Sequence, residues 1–288
     1  MAIKRALYLC RMHLRNFGLT PVIYVYICLL YIFFHQINKQ TLFLQQETGI
    51  RINVWGYTAG FFSTSVSTVI FGFGIVLFFS NLPLLYENAL FESTRCSRNV
   101  WISGRVLYVM VICFFYTLMM FVLCMVTSHG MYNETHNWGK ILNTLANGYS
   151  IGSFSIPIDI SISITGRYTP IQSFMISFGT SFLSSFCIGL MMLFLSLVLG
   201  RMAALTGGCI ISVFDFLIYL KLPYLLYHFS PLSLMRLSII CNPEMPYYPT
   251  MIEAVSTLLI TNMVLIIFSF IASHNNTHFM RSVLHEQY

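Results

Sequence analysis

GRVLYVMVICFFYTLMMFVLCMVT (residues 104–127) holds a single charge, Arg105, at its second position, and no proline or acid. A helix rises about 1.5 Å per residue, so about 20 mostly apolar residues cross the hydrocarbon of a bilayer. The stretch therefore predicts a membrane helix. Five more segments repeat the pattern, at 17–35, 57–81, 171–199, 205–222 and 254–272. The segment at 205–222 is the most polar of the set, since it carries Asp215 and Lys221.

Composition agrees. The chain is 57% hydrophobic and 8% charged over 288 residues, whereas soluble domains carry about 25% charged residues. So few charges cannot clothe a water-facing surface, and the class is integral membrane protein. The net charge of +6 is no signal for nucleic acid, because the basic residues sit where a topology signal would. With the N-terminus inside, Lys4, Arg5, Arg11, Arg15, Arg95, Arg98, Arg105, Arg201 and Arg281 are cytoplasmic. Lys39, Arg51, Lys140, Arg167, Lys221 and Arg236 spread over longer outer loops. The denser side is the inner one. The expected fold is all-α, with six transmembrane helices and both termini in the cytoplasm, in one transmembrane domain over 1–288.

Residues 1–16 predict an amphipathic interfacial helix. Ile3, Leu7, Cys10, Leu14 and Phe17 recur at helical spacing, while Lys4, Tyr8, Arg11 and Arg15 share another face, with Arg5 adding charge. Such a helix lies in the membrane surface with its basic face toward anionic headgroups or a partner. The basic part is long and no small-residue cleavage site follows Phe34, so the first apolar segment is expected to be retained. Two outer segments stand out. Residues 128–170 predict a long external loop. Residues 223–253 contain five prolines yet open on PYLLYHFSPLSLMRLSII, which predicts short helices re-entering the membrane against protein.

Several motifs for chemistry are missing from the sequence. Gly139-Lys140 is followed by Ile141, so no phosphate loop of the GxxxxGK[ST] kind exists. There is no HExxH and no CxxC. His274 and His278 stand one turn apart, too few ligands for a metal. No catalytic residue, metal or cofactor is expected in this chain. Asp215 is the one acid well inside a membrane segment. A carboxylate at depth marks a pathway or an interhelical contact, and Ser212 and Tyr219, one turn either side, are the expected hydrogen-bond partners.

Between the second and third apolar segments lies ENALFESTRCSRNVWISGR (87–105), with two glutamates and three arginines. Pro83 ends the preceding helix, and no Pro or Gly interrupts 84–97. Leu84, Leu90 and Phe91 give an apolar edge, and Glu92 and Arg95 pair at i, i+3. A short helix of this kind suits insertion into another protein's groove; the alternative is a loop helix resting on headgroups.

SNLPLLYENALFESTRCSRNVWISGRVLYVM (80–110), LFLSLVLGRMAAL (193–205) and YHFSPLSLMRLSI (227–239) resemble bacterial ATP-binding-cassette exporter permeases of the type-2 membrane family. The coupling region of that family has an Arg-x-x-Arg-like pattern, then Trp and a basic re-entry residue, here Arg95, Arg98, Trp101 and Arg105. The resemblance implies a permease subunit of the bacterial plasma membrane without its own motor. It implies pairing with a second copy or a paralogue, and a cytoplasmic ATPase, in two copies, holding ATP and Mg. Segment 82–103 becomes the coupling segment, with Glu87, Leu90, Phe91, Glu92, Arg95 and Arg98 touching the ATPase. Cargo would be a hydrophobic or amphipathic peptide, antibiotic, drug or lipid. The competing classes are a stand-alone secondary carrier and a polytopic membrane enzyme.

Overall fold

The computed structural model describes residues 2–17, 21–80, 97–128, 131, 136–148, 156, 158–242 and 247–275. Among them are helices and turns and no strand. In chain order the helices are α1 (Ala2–Phe17), α2 (Pro21–Thr48), α3 (Val54–Phe61), α4 (Ser65–Ser80), α5 (Arg98–Thr127), α6 (Gly139–Ala146), α7 (Ile162–Arg167), α8 (Pro170–Leu199), α9 (Arg201–Leu220), α10 (Leu237–Ile240) and α11 (Met251–Asn275). Two 3-10 turns, Tyr224–Phe229 and Ser233–Met235, lie between α9 and α10. Four helices, α5, α8, α9 and α11, are long and apolar enough to cross a membrane; α3 and α4 make a fifth if taken as one bent span.

α8 is the centre of the bundle. Its most apolar window is 61% buried, against 44% for α5, 28% for α9 and 22% for α11. α11, α9, α5 and α3 all pack on it. Thr169 starts it as a capping box with Gln172, and Pro170 stands at the first helical position, where its missing N–H costs nothing. The outward faces of α9 and α11 stay apolar and uncovered, with Met202, Ile210, Ile260 and Met263 exposed, as suits helices facing lipid rather than water.

α4 and α9 cross at small residues. A side chain on Gly72 would stand 2.8 Å from the Ser212 Oγ, and one on Gly208 2.8 Å from Val76. Gly208 and Ser212 are four apart on one face, the close-approach spacing of membrane helix pairs. One further turn along the same crossing brings Thr68 to Asp215.

The expected second span at 57–81 is broken. α3 and α4 meet at an angle of 75°, with neither Gly nor Pro at the break. Hydroxyls make it. Ser67 Oγ donates to the Phe61 carbonyl (2.6 Å), Ser63 Oγ to Ala59 (2.9 Å), and Thr64 Oγ1 accepts from the Ser67 N–H (3.3 Å). These satisfy the carbonyls that end α3 and cap the start of α4.

The expected first span, 17–35, is too short for the helix observed, since α2 runs through Lys39 to Thr48. Its polar second half is tolerated because Asn38 faces inward, donating to Thr127 (2.8 Å) and Ser128 (3.2 Å) at the end of α5. α1 packs along α5 on a face that keeps Cys10 and Leu14 of the expected set but leaves Leu7 outside. Ala6, Leu9, Cys10 and His13 are buried, whereas Leu7 is 54% exposed. The His13 ring sits 5.5 Å from that of Tyr108. Lys4, Arg5 and Arg11 point outward; the side chain of Arg15 lies outside the described residues.

α8 passes into α9 through Gly200 alone, at φ +92°. Only glycine adopts that conformation cheaply, and strain there is worth about 1–3 kcal/mol. Gly200→Ala should therefore lower stability by about that amount in thermal unfolding of the detergent-solubilised protein, although nothing lies within 4 Å of the new methyl.

Candidate functional site

Asp215 sits on α9 with none of its surface exposed. Two hydroxyls donate to its carboxylate: Thr68 Oγ1 from α4 at 2.8 Å and Ser233 Oγ from the second 3-10 turn at 2.6 Å. The guanidinium of Arg236 completes the set, with Nη1 3.5 Å from Asp215 Oδ2. Arg236 is itself only 4% exposed. Its Nε donates to the Ser63 carbonyl at the α3–α4 break (2.8 Å), and its Nη2 to Asp159 Oδ2 (3.3 Å). The Leu237 N–H and the Ser238 hydroxyl also bond Ser63. One buried ionic network thus gathers α9, α4, the helix break, the outer segment and the long connection before α8.

The energetics follow from burial. Taking two charges out of water costs several kcal/mol per ion, and mutual attraction offsets this only when hydrogen bonds satisfy the remaining lone pairs and protons. The Thr68 and Ser233 hydroxyls do so for Asp215; for Arg236 the Ser63 carbonyl and Asp159 take Nε and Nη2, while Nη1 faces Asp215 at 3.5 Å as an ion pair without a hydrogen bond. Tyrosines surround the network. Arg236 lies 6.0 Å from the Tyr219 ring centre, and Tyr227 and Tyr248 meet edge to face at 5.5 Å. Burial pushes the Tyr227 hydroxyl up to about 12, an effect Arg236 partly offsets and Asp215 reinforces. It remains a proton donor at neutral pH.

The expected partners of Asp215 are not the ones observed. Ser212 donates to the Gly208 carbonyl of its own helix (2.8 Å). Tyr219 is 56% exposed and offers its ring to Arg236. Nor does Asp215 lack a basic partner. Arg236, in the segment expected to re-enter against protein, is that partner. The signal was present, since Arg236 is the one charge in the otherwise apolar PYLLYHFSPLSLMRLSII; Ser63, Thr68 and Asp159 carried none that stood out.

At the opposite pole the described basic residues hold helix ends. Arg201 Nη2 donates to the Ser80 carbonyl at the end of α4 (2.7 Å). Arg98 Nη1 donates to the His274 carbonyl at the end of α11 (2.9 Å), and Asn99 pairs with the His274 ring (2.8 Å). Cations at helix C-termini meet unsatisfied carbonyls and the negative end of the macrodipole. Arg105 is buried over Trp101, 5.4 Å from its ring centre. Of the expected coupling residues, Glu87, Leu90, Phe91, Glu92 and Arg95 lie outside the described residues. Among the described residues no three His, Cys, Asp or Glu side chains converge as a metal site.

Comparison of the chain with family models, with curated proteins and with solved structures finds no match.

The geometry separates two serines that sequence position alone would rank the other way. Ser233→Ala removes a hydrogen bond to a buried charge and should cost about 1.5–3 kcal/mol. Ser212→Ala, which loses only a bond to its own helix, should cost less than about 1 kcal/mol. Chemical or thermal unfolding of the two variants in one detergent checks the order.

Proposed function

We propose that this chain is the membrane-spanning permease subunit of an ATP-driven exporter in the bacterial plasma membrane. It pairs with a second copy or a paralogue, and two copies of a cytoplasmic ATPase supply ATP, Mg and force. On this reading α2, the bent α3–α4 pair, α5, α8, α9 and α11 are six crossings, with both termini cytoplasmic and α1 in the inner interface. The cargo is hydrophobic or amphipathic, a peptide, antibiotic, drug or lipid, and the chain performs no catalysis of its own.

The observation that supports the reading is the bonding of helix ends at the pole where α4 stops and α5 starts, the two helices that the charged stretch 82–103 joins in sequence. There Arg201 holds the end of α4 and Arg98 the end of α11. Force on such a segment reaches α9 through Ser80–Arg201 and α11 through Arg98–His274. The family resemblance of 80–110, 193–205 and 227–239 supports the same assignment. Phe91 is the anchor in the ATPase groove, with Glu87, Leu90, Glu92, Arg95 and Arg98 around it.

A second reading has its own observation. A buried Asp–Arg pair beside a broken helix is a feature of secondary carriers. The two separate on purification from native membranes in mild detergent. Recovery of an ATPase bearing a GxxxxGK[ST] loop, one per permease, supports the exporter. A lone oligomer that transports on an ion gradient after reconstitution supports the carrier. Within the exporter reading, Phe91→Ala should weaken ATPase binding about thirtyfold, on the order of 2 kcal/mol, while the membrane protein still folds. Normal ATPase binding and transport in that variant would remove 82–103 from the coupling role.

A further inference from the structure

Residues 158–160 belong to the connection between α5 and α8, yet they are fastened to α3. The Asp159 N–H donates to the Gly60 carbonyl (3.1 Å). Ile158 and Ile160 cover Gly60 so closely that any side chain there would collide with both. Asp159 then reaches Arg236 with one carboxylate oxygen.

The two acids on Arg236 are held differently. Asp215 is fully buried and receives two hydroxyl hydrogen bonds. The Asp159 side chain is 46% exposed, and its contact with Arg236 is at 3.3 Å. Arg236 keeps its buried counter-charge in Asp215 and its bond to Ser63 whether or not Asp159 is present. Asp159 is thus the exchangeable member of the network, and Asp215 the fixed one. We propose that residues 158–160 are a releasable outer strap, latched to Arg236 through Asp159, whose release uncovers the break between α3 and α4. The strap is independent of whether an ATPase drives the chain, since exporter and carrier alike must open an outer face.

Hydrogen exchange by mass spectrometry on the purified full chain in detergent tests this. An exposed ion pair shifts an opening equilibrium by about fivefold or less. In Asp159→Asn, amides at 158–160 should therefore exchange about three- to fivefold faster than in the wild type. Salt at about 1 M, where the screening length is about 3 Å, should speed the wild type similarly and add nothing in the variant. Amides at 237–240, fastened through Ser63, should not change in any condition. Unchanged exchange at 158–160 in Asp159→Asn would mean that the backbone bond and the isoleucines hold this segment without a latch. An equal rise at 237–240 would mean that Asp159 is part of the core network and does not release on its own. Either result overturns the proposal.

Discussion

A carboxylate in a membrane helix must be compensated, and most of this end of the protein is arranged around that requirement. Asp215 has no exposed surface, so its charge must be met by protein. α9 alone supplies none of the partners. They come from α4 (Thr68), from the 3-10 turn at Ser233–Met235, and from Arg236 just beyond it. The proline-broken segment after α9 folds inward because it carries those partners, and its apolar residues, Leu232, Leu234, Met235 and Ile239, are buried with them. Arg236 in turn needs acceptors, and the carbonyl freed by the α3–α4 break provides one. The helix break, the inward-folded segment and the buried pair are three parts of one solution.

The same helices join the two poles. α4 is bonded to α9 at both ends, through Thr68–Asp215 at one and Ser80–Arg201 at the other. Between them the small residues Gly72, Gly208 and Ser212 keep the helices in close contact. A packed pair of this kind moves as a unit rather than bending. In the exporter reading, α4 leads directly into the coupling segment, so displacement there is carried along its length to the Asp215–Arg236 network.

The long apolar helices were legible from sequence because bilayer thickness leaves one signal, a long run without charge. α5, α8, α9 and α11 follow the predicted segments to within a few residues. The break at Ser63–Thr64 was not legible, because Gly and Pro are the usual markers and this one rests on hydroxyls that also occur inside unbroken membrane helices. α2 extends past its apolar run because Asn38 meets Thr127 and Ser128, partners remote in the chain. Asp215 was recognisable as unusual from depth alone. Its partner Arg236 stood out as the one charge in an apolar segment, but which acid it meets depends on how the intervening turns fold.

Asp215 and Arg236 act as one buried unit. The most direct measurement is a double-mutant cycle in detergent, with Asp215→Leu, Arg236→Met and the two combined. Arg236→Met strands the buried Asp215 and should cost about 3–5 kcal/mol, whereas Asp215→Leu leaves Arg236 only the half-exposed Asp159 and should cost about 3 kcal/mol. The combined change strands none, so it should cost less than either single change, giving a coupling of several kcal/mol. If the single costs simply add, the two residues are not coupled, and this end of the protein is held together by something else.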